Sequence, residues 1–189
     1  MPTYKLLFIW VEGDDDERFF NKVLVPKFME KYSGVKIIKY AAMRKKKVDN
    51  FIKSIKAMGA DYIYLTDINN SPCVTAKKEE MQKKHPNIDK NKIIVVIKEI
   101  ESWYLAGLDN KVCRQLKINN FADTDNVTKE KFNALIPKKF TSRIDFMSEI
   151  LKKFSIEIAK QKNNSFQYFV EKYMIAKLME TYGDIGNVA

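Results

Sequence analysis

Charged residues stand where hydrophobic runs stop. Glu12, followed by Gly13 and then Asp14, Asp15 and Asp16, closes the run KLLFIWV; Asp67, with Asn69 two places on, closes DYIYLTD; Glu99 and Glu101 follow KIIVVI. A fourth run, VKIIKYA, gives way instead to the cations Arg44, Lys45, Lys46 and Lys47. Two unit charges about 5 Å apart repel by roughly 3 kcal/mol at an effective dielectric of about 20, so acids gathered this way need a neutralising partner. Carboxylates and an amide carbonyl are hard oxygen donors, the set preferred by Mg²⁺ or Mn²⁺. The basic tetrad can hold phosphates nearby, and Gly13, without a Cβ, permits a tight turn and close approach by one. Together these are the ingredients of metal-assisted phosphodiester chemistry.

For acids so far apart in sequence to meet, the runs that carry them must be neighbouring parallel strands. The runs at 5–11, 61–67 and 92–97 are nearly continuously apolar and rich in Ile, Val and Tyr, as expected of strands covered on both faces; the run at 35–41 adds a fourth. Between them, 15–32, 47–58 and 73–85 carry apolar residues at helical spacing, with breakers at Gly34, Gly59 and Pro86, and with Pro26 expected to kink or end the first helix. After Gly107 the strand signals stop, and 111–116, 129–135, 143–154 and 165–182 read as helices, the last two separated by the polar KQKNNS. The last helix carries a stripe of Phe166, Phe169, Val170, Tyr173, Met174 and Leu178, read as a docking face.

The expected fold is therefore α/β: an open sheet of about four mainly parallel strands with flanking helices over residues 1–107, followed by a helical extension, 108–189, packed on it. Ligands bind beyond the carboxyl ends of such strands, so the acids and the tetrad should converge along one edge.

Plainer readings compete at several positions. Asp14 and Asp15 read as helix-opening acids that stabilise the macrodipole, and Asp16 is open between that role and the site. The tetrad is alternatively a solvated helix start. Glu99, directly after its apolar run, is preferred as the site acid over Glu101, whose alternative is a helix-start acid or the partner of a buried donor. Cys73 and Cys113 read as two reduced core thiols, and His85, the one histidine, as part of a surface turn beside Pro86. A single histidine excludes His-rich zinc hydrolases, and no phosphate-binding or dinucleotide glycine motif occurs. The formal charge of +10 favours a polyanionic partner such as nucleic acid. No apolar run approaches the roughly 18 residues of a membrane span, and the N-terminus lacks a cleavage pattern, so a cytoplasmic protein is expected.

FIWVEGDDD resembles the first motif of TOPRIM domains, a hydrophobic strand followed by Glu-Gly-x-x-Asp, and YIYLTDIN resembles their second, a strand followed by Asp-x-Asp. VIKEIESWYLAG is similar to a segment of small stand-alone TOPRIM-like proteins allied to nucleases of the overcoming-lysogenization-defect type, some associated with phage defence. The resemblance implies a Rossmann-like TOPRIM sheet and a site in which Glu12, Asp16 and Asp67 bind one or two divalent ions, with Glu99 or Glu101 as a further acid. It also implies that Trp103 packs the following helix, and that SFQYFVEK belongs to the C-terminal helical part. The chain departs from the motif at Asn69, a neutral donor where the second aspartate stands, and Glu99 or Glu101 is the candidate to replace the missing charge.

The resulting expectation is a divalent-metal-dependent endonuclease acting on DNA or RNA. Glu12 and Asp67 would be catalytic, Glu12, Asp16, Asp67, Asn69 and Glu99 would hold Mg²⁺ or Mn²⁺, and Arg44, Lys45, Lys46 and Lys47 would track the nucleic acid. The alternative is a non-catalytic module that binds nucleic acid or a partner; phosphotransfer through Asp67 is a remoter one. A homodimer or partner protein engaged through the C-terminal helices is a further expectation.

Overall fold

The four apolar runs form strands β1 (Leu6–Val11), β2 (Gly34–Lys39), β3 (Asp61–Asp67) and β4 (Ile93–Val96) in a computed structural model that describes residues 5–175. All three ladders are parallel and the strand order is β2-β1-β3-β4. The connection after β1 leads to one edge, while those after β2 and β3 lead the other way. With right-handed crossovers, the first helix therefore lies on one face of the sheet and the next two on the other. The chain thus changes direction between β1 and β3, the place where open α/β sheets form ligand crevices.

The chain divides into two compact units, Met1–Ile100 and Glu101–Ala189. In the first, α1 (Asp14–Phe19) and α2 (Val25–Phe28) are joined by a π-helical turn, Phe20–Leu24. Pro26 lies in the first turn of α2 and has no N–H for the preceding turn, so the segment widens without ending, as a kinking proline allows. The opposite sheet face carries Phe8, Trp10, Tyr62, Tyr64, Ile93 and Val95. It packs against Val48, Ile52 and Ile55 of α3 (Lys45–Ala57) and Met81 of α4 (Val74–Lys84). The α/β fold with a four-stranded parallel open sheet, flanking helices and C-terminal helices is the one expected from the alternation of runs.

The second unit contains α5 (Glu101–Ala106), α6 (Asn110–Leu116), α7 (Lys129–Ala134), α8 (Arg143–Lys152), α9 (Ile156–Lys162) and α10 (Asn164–Val170). Its centre is aromatic: Trp103 meets Phe166 at 5.1 Å and Phe169 at 5.4 Å between ring centroids. The KQKNNS segment is not a linker. Its lysines end α9, and Asn163 caps α10 while its side chain stays buried. Four buried polar bonds explain why so polar a stretch lies inside. Asn163 donates to Ser102 Oγ and Thr124 Oγ1, both at 3.2 Å, and accepts from Ser165 Oγ at 2.8 Å and the Phe166 amide at 2.9 Å. In the expected apolar stripe Phe166, Phe169 and Val170 are buried, whereas Leu178 lies outside the described residues.

Two further expectations are corrected. Cys113 is buried but Cys73 is exposed, because it precedes α4 as its N-cap instead of facing the core. His85 is 2 % exposed. It follows α4 directly and continues the stripe Val74, Lys77, Met81, which carries it inward beneath Tyr64 at 6.1 Å between rings.

Candidate functional site at the strand ends

The acids after β1 are divided by their partners. Asp14 accepts from Lys39 Nζ at 2.7 Å, and that hydrogen bond holds its carboxyl below the ordinary range. Asp15 is paired with Arg18 at 2.6 Å. Asp16, 7 % exposed, turns back so that its Oδ2 accepts the Gly13 N–H at 3.1 Å, closing the first turn of α1. Glu12 is exposed, and its carbonyl continues the β1–β2 ladder by accepting the Ala41 N–H.

Glu12 lines a cavity of about 300 Å³ at the carboxyl ends of β1 and β3, walled by the start of α3 and one side of α4. Thr66 of β3 and Asn69 just beyond it, Tyr40 after β2, Lys45 of α3, and Lys77, Glu80, Lys84 and His85 of or next to α4 also line it. Trp10 lies opposite Tyr64 in the β1–β3 ladder. Two residues further on, that register sets Glu12 beside Thr66, so both face the α3–α4 side, while Asp67 alternates to the other. Glu12 and Asp67 thus stand at the carboxyl ends of neighbouring strands but on opposite sides of the pleat. Of the residues singled out in the sequence, Glu12, Asn69 and Lys45 share the cavity; Asp16, Asp67 and Glu99 are not among its walls. Among the described residues, no three His, Cys, Asp or Glu side chains are grouped so as to hold a metal ion.

Asn69 has φ +48°, a left-handed conformation that asparagine tolerates better than most residues. It also borders a second recess of about 610 Å³ with Asn70, Ser71, Pro72, Lys77 and Glu80. The basic tetrad splits at the helix start: Lys45 lines the cavity, whereas Arg44, Lys46 and Lys47 line an open groove of about 610 Å³ together with Phe51. All four are exposed. Glu101 takes the plainer of its two readings: it opens α5, is 3 % exposed and pairs with Arg143.

No family model matches the chain, and no curated protein matches it either. Solved structures similar to it include the C-terminal region of the Xanthomonas campestris pv. campestris OLD protein, at 12 % identity and a TM-score of 0.45, covering 96 % of this chain and 100 % of that one. The C-terminal region of the Burkholderia pseudomallei OLD protein is similar at 15 % identity and a TM-score of 0.48, covering 88 % of this chain and 97 % of that one.

Lys77, Lys84 and His85 are the cavity residues that reading the sequence missed. The signal was present in α4: Val74, Lys77, Met81 and His85 recur every three or four residues, so a lysine and a histidine occupy an otherwise apolar stripe. Burial lowers the pKa of His85, against the opposing pull of Asp49, and keeps the imidazole neutral near pH 7. The Ser71 hydroxyl, with Lys77 beside it, holds the Glu80 carboxyl below its ordinary range and therefore ionised. Burial, with Tyr64 and Glu12 nearby, keeps the Tyr40 phenol protonated; it donates to Leu65 O at 2.8 Å. No helix among the described residues is long and apolar enough to cross a membrane.

Proposed function

We propose that the protein is a divalent-metal-dependent nuclease of the TOPRIM type. The observation that carries this reading is topological: Glu12 directly follows β1 and Asp67 ends the adjacent parallel strand β3, at the point where the connections part to opposite sides of the sheet. Mg²⁺ is usually held by one or two carboxylates, waters and substrate phosphates instead of a complete protein cage. A rim with few preassembled acids fits that habit. In this reading Glu12, Asp67 and the Asn69 carbonyl hold the ion, with Asp16 and Glu99 supporting them. When bound, the ion would neutralise charge on the phosphate and favour ionisation of an attacking water. Glu12, exposed and next to the cavity, would accept or return the proton of the attacking or leaving oxygen. Asp16, by holding the Gly13 amide, would fix the turn that presents Glu12. Arg44, Lys46 and Lys47 would bind the strand by charge, giving sequence-tolerant, salt-sensitive affinity.

The test is cleavage of plasmid DNA and of single-stranded RNA with Mg²⁺ or Mn²⁺, using Glu12→Gln and Asp67→Asn. Loss of cleavage by about 100-fold or more in both is expected; undiminished cleavage in both would refute the assignment. The second reading, a non-catalytic nucleic-acid-binding module, is favoured by the neutral Asn69 and by the absence of a metal-holding trio among the described residues. Tight binding without turnover, and a melting temperature indifferent to Mg²⁺, would select it.

A further inference from the structure

The cavity at the strand ends contains a charge for which the metal reading has no use. Lys77 is 5 % exposed, although lysine is almost never buried unless its ammonium is well paired. Its Nζ meets Glu80 at 3.3 Å to one carboxylate oxygen and 3.4 Å to the other, long for a charge-assisted bond, which typically falls near 2.7–2.9 Å. Glu80 is itself shared, because it also accepts from Ser71 Oγ at 2.8 Å. An ammonium has three donors, so this one retains capacity toward the cavity that it lines.

Two more ammonium groups line the same space. Lys45 and Lys84 are exposed, and among the described residues neither makes a hydrogen bond or an ion pair. Lys45 also opens α3, where a cation opposes the helix macrodipole instead of being stabilised by it. Three lysines thus face two carboxylates, Glu12 and Glu80, around about 300 Å³. The surplus is positive and the amine at the wall is buried, an arrangement that an anion entering the cavity would stabilise.

The geometry also limits which anion fits. A volume of about 300 Å³ lies at the low end for small-molecule sites. It admits a phosphoryl group with its sugar and excludes a duplex. A phosphodiester inside a strand is flanked on both sides by chain and runs along the surface, where it meets exposed lysines but not a buried one. A terminal phosphomonoester has one free side, carries about −1.5 to −2 charge at pH 7 and offers three acceptor oxygens.

We propose that this cavity is a phosphomonoester-binding site, with Lys77 as its buried anchor and Lys45 and Lys84 at its mouth, filled by the phosphorylated end of a nucleic-acid strand or by a free mononucleotide. The proposal rests on the nuclease reading only for its consequence: with Glu12 in the same cavity, a bound phosphorylated end would set the distance at which the strand is cut.

The test is binding of the full chain in EDTA to a short single-stranded oligonucleotide bearing a 5′-phosphate, a 3′-phosphate or hydroxyls at both ends, measured by fluorescence anisotropy. One of the phosphorylated forms is expected to bind roughly 10- to 100-fold more tightly than the hydroxyl form. Lys77→Met, which keeps the apolar stem, should abolish that preference. The double variant Lys45→Ala/Lys84→Ala changes two exposed residues and should reduce it, so the proposal stays testable if Lys77→Met does not fold. Competition by a nucleoside 5′-monophosphate separates the sources: competition at equal affinity identifies the free nucleotide, weak competition the strand end, and both support the site. Equal affinity for phosphorylated and hydroxyl ends, with no shift in melting temperature by the monophosphate, overturns it. Because no metal is present, this result and the loss of cleavage in Glu12→Gln can succeed or fail separately.

Discussion

Two sets of buried polar groups behave in opposite ways. In the second unit Asn163, Ser102, Thr124 and Ser165 close a hydrogen-bonded network around the start of α10, joined by the Trp103 indole, which donates to Ser165 at 2.8 Å. In the first unit Trp10 Nε1, Tyr64 Oη, Asp49 Oδ1 and His85 Nδ1 are buried without a hydrogen-bond partner, and the last two face each other at 3.6 Å, too far to bond. An unmet buried polar atom costs about 1–3 kcal/mol, so the first unit is held below its attainable stability. Paired groups lock a helix start in place; of the unpaired ones, His85 lines the cavity where a ligand is proposed to bind and the other three do not.

The contrast breaks first at Asn163. Asn163→Ala removes four buried bonds, one of them the cap of α10, and is expected to cost about 3 kcal/mol, read as a lower urea midpoint. A loss under about 1 kcal/mol would show that the network is not what holds α10. Acids provide the next comparison. Glu101→Gln leaves Arg143 without its buried partner and should cost about 2 kcal/mol, whereas Glu12→Gln at the exposed rim should change stability by less than about 0.5 kcal/mol.

A pH titration then separates the two units. His85 has a folded pKa below its ordinary 6.5, so between those two values the unfolded chain binds more protons than the folded one. Its contribution to stability is therefore present above its ordinary pKa of 6.5 and is lost as pH falls from there through the depressed folded value. Melting temperature should drop across that window in the wild type and less in His85→Gln; identical profiles would remove His85 as the cause. The smallest effect belongs to Tyr64→Phe. It deletes an unpartnered hydroxyl and should leave stability unchanged or raise it by up to about 1 kcal/mol, against the loss a satisfied tyrosine would show.

The parallel strands were legible because each is an apolar run bounded by polar residues, and the third coincides with its run at both ends, Asp61 to Asp67. The cavity was legible only in its strand ends: Glu12 lies directly after β1 and Asp67 ends β3, though Asp67 is not among the walls. It was not legible where it depends on which face a helix presents. The burial of Lys77 and His85 follows from the rotation of α4, and the division of the tetrad between two recesses from the direction in which α3 starts. Asn163 was hidden for a related reason: polar residues in series look like a linker, and only long-range partners such as Ser102 and Thr124 make one of them part of an interior.

The positive φ of Asn69 restricts that turn to few residue types, chiefly glycine, asparagine and aspartate. Only one of the three adds a negative charge beside the cavity. Descendants of this chain can therefore switch a carboxylate on or off at a single codon without remaking the loop, so the charge beside the cavity is an evolvable trait decoupled from the architecture that displays it.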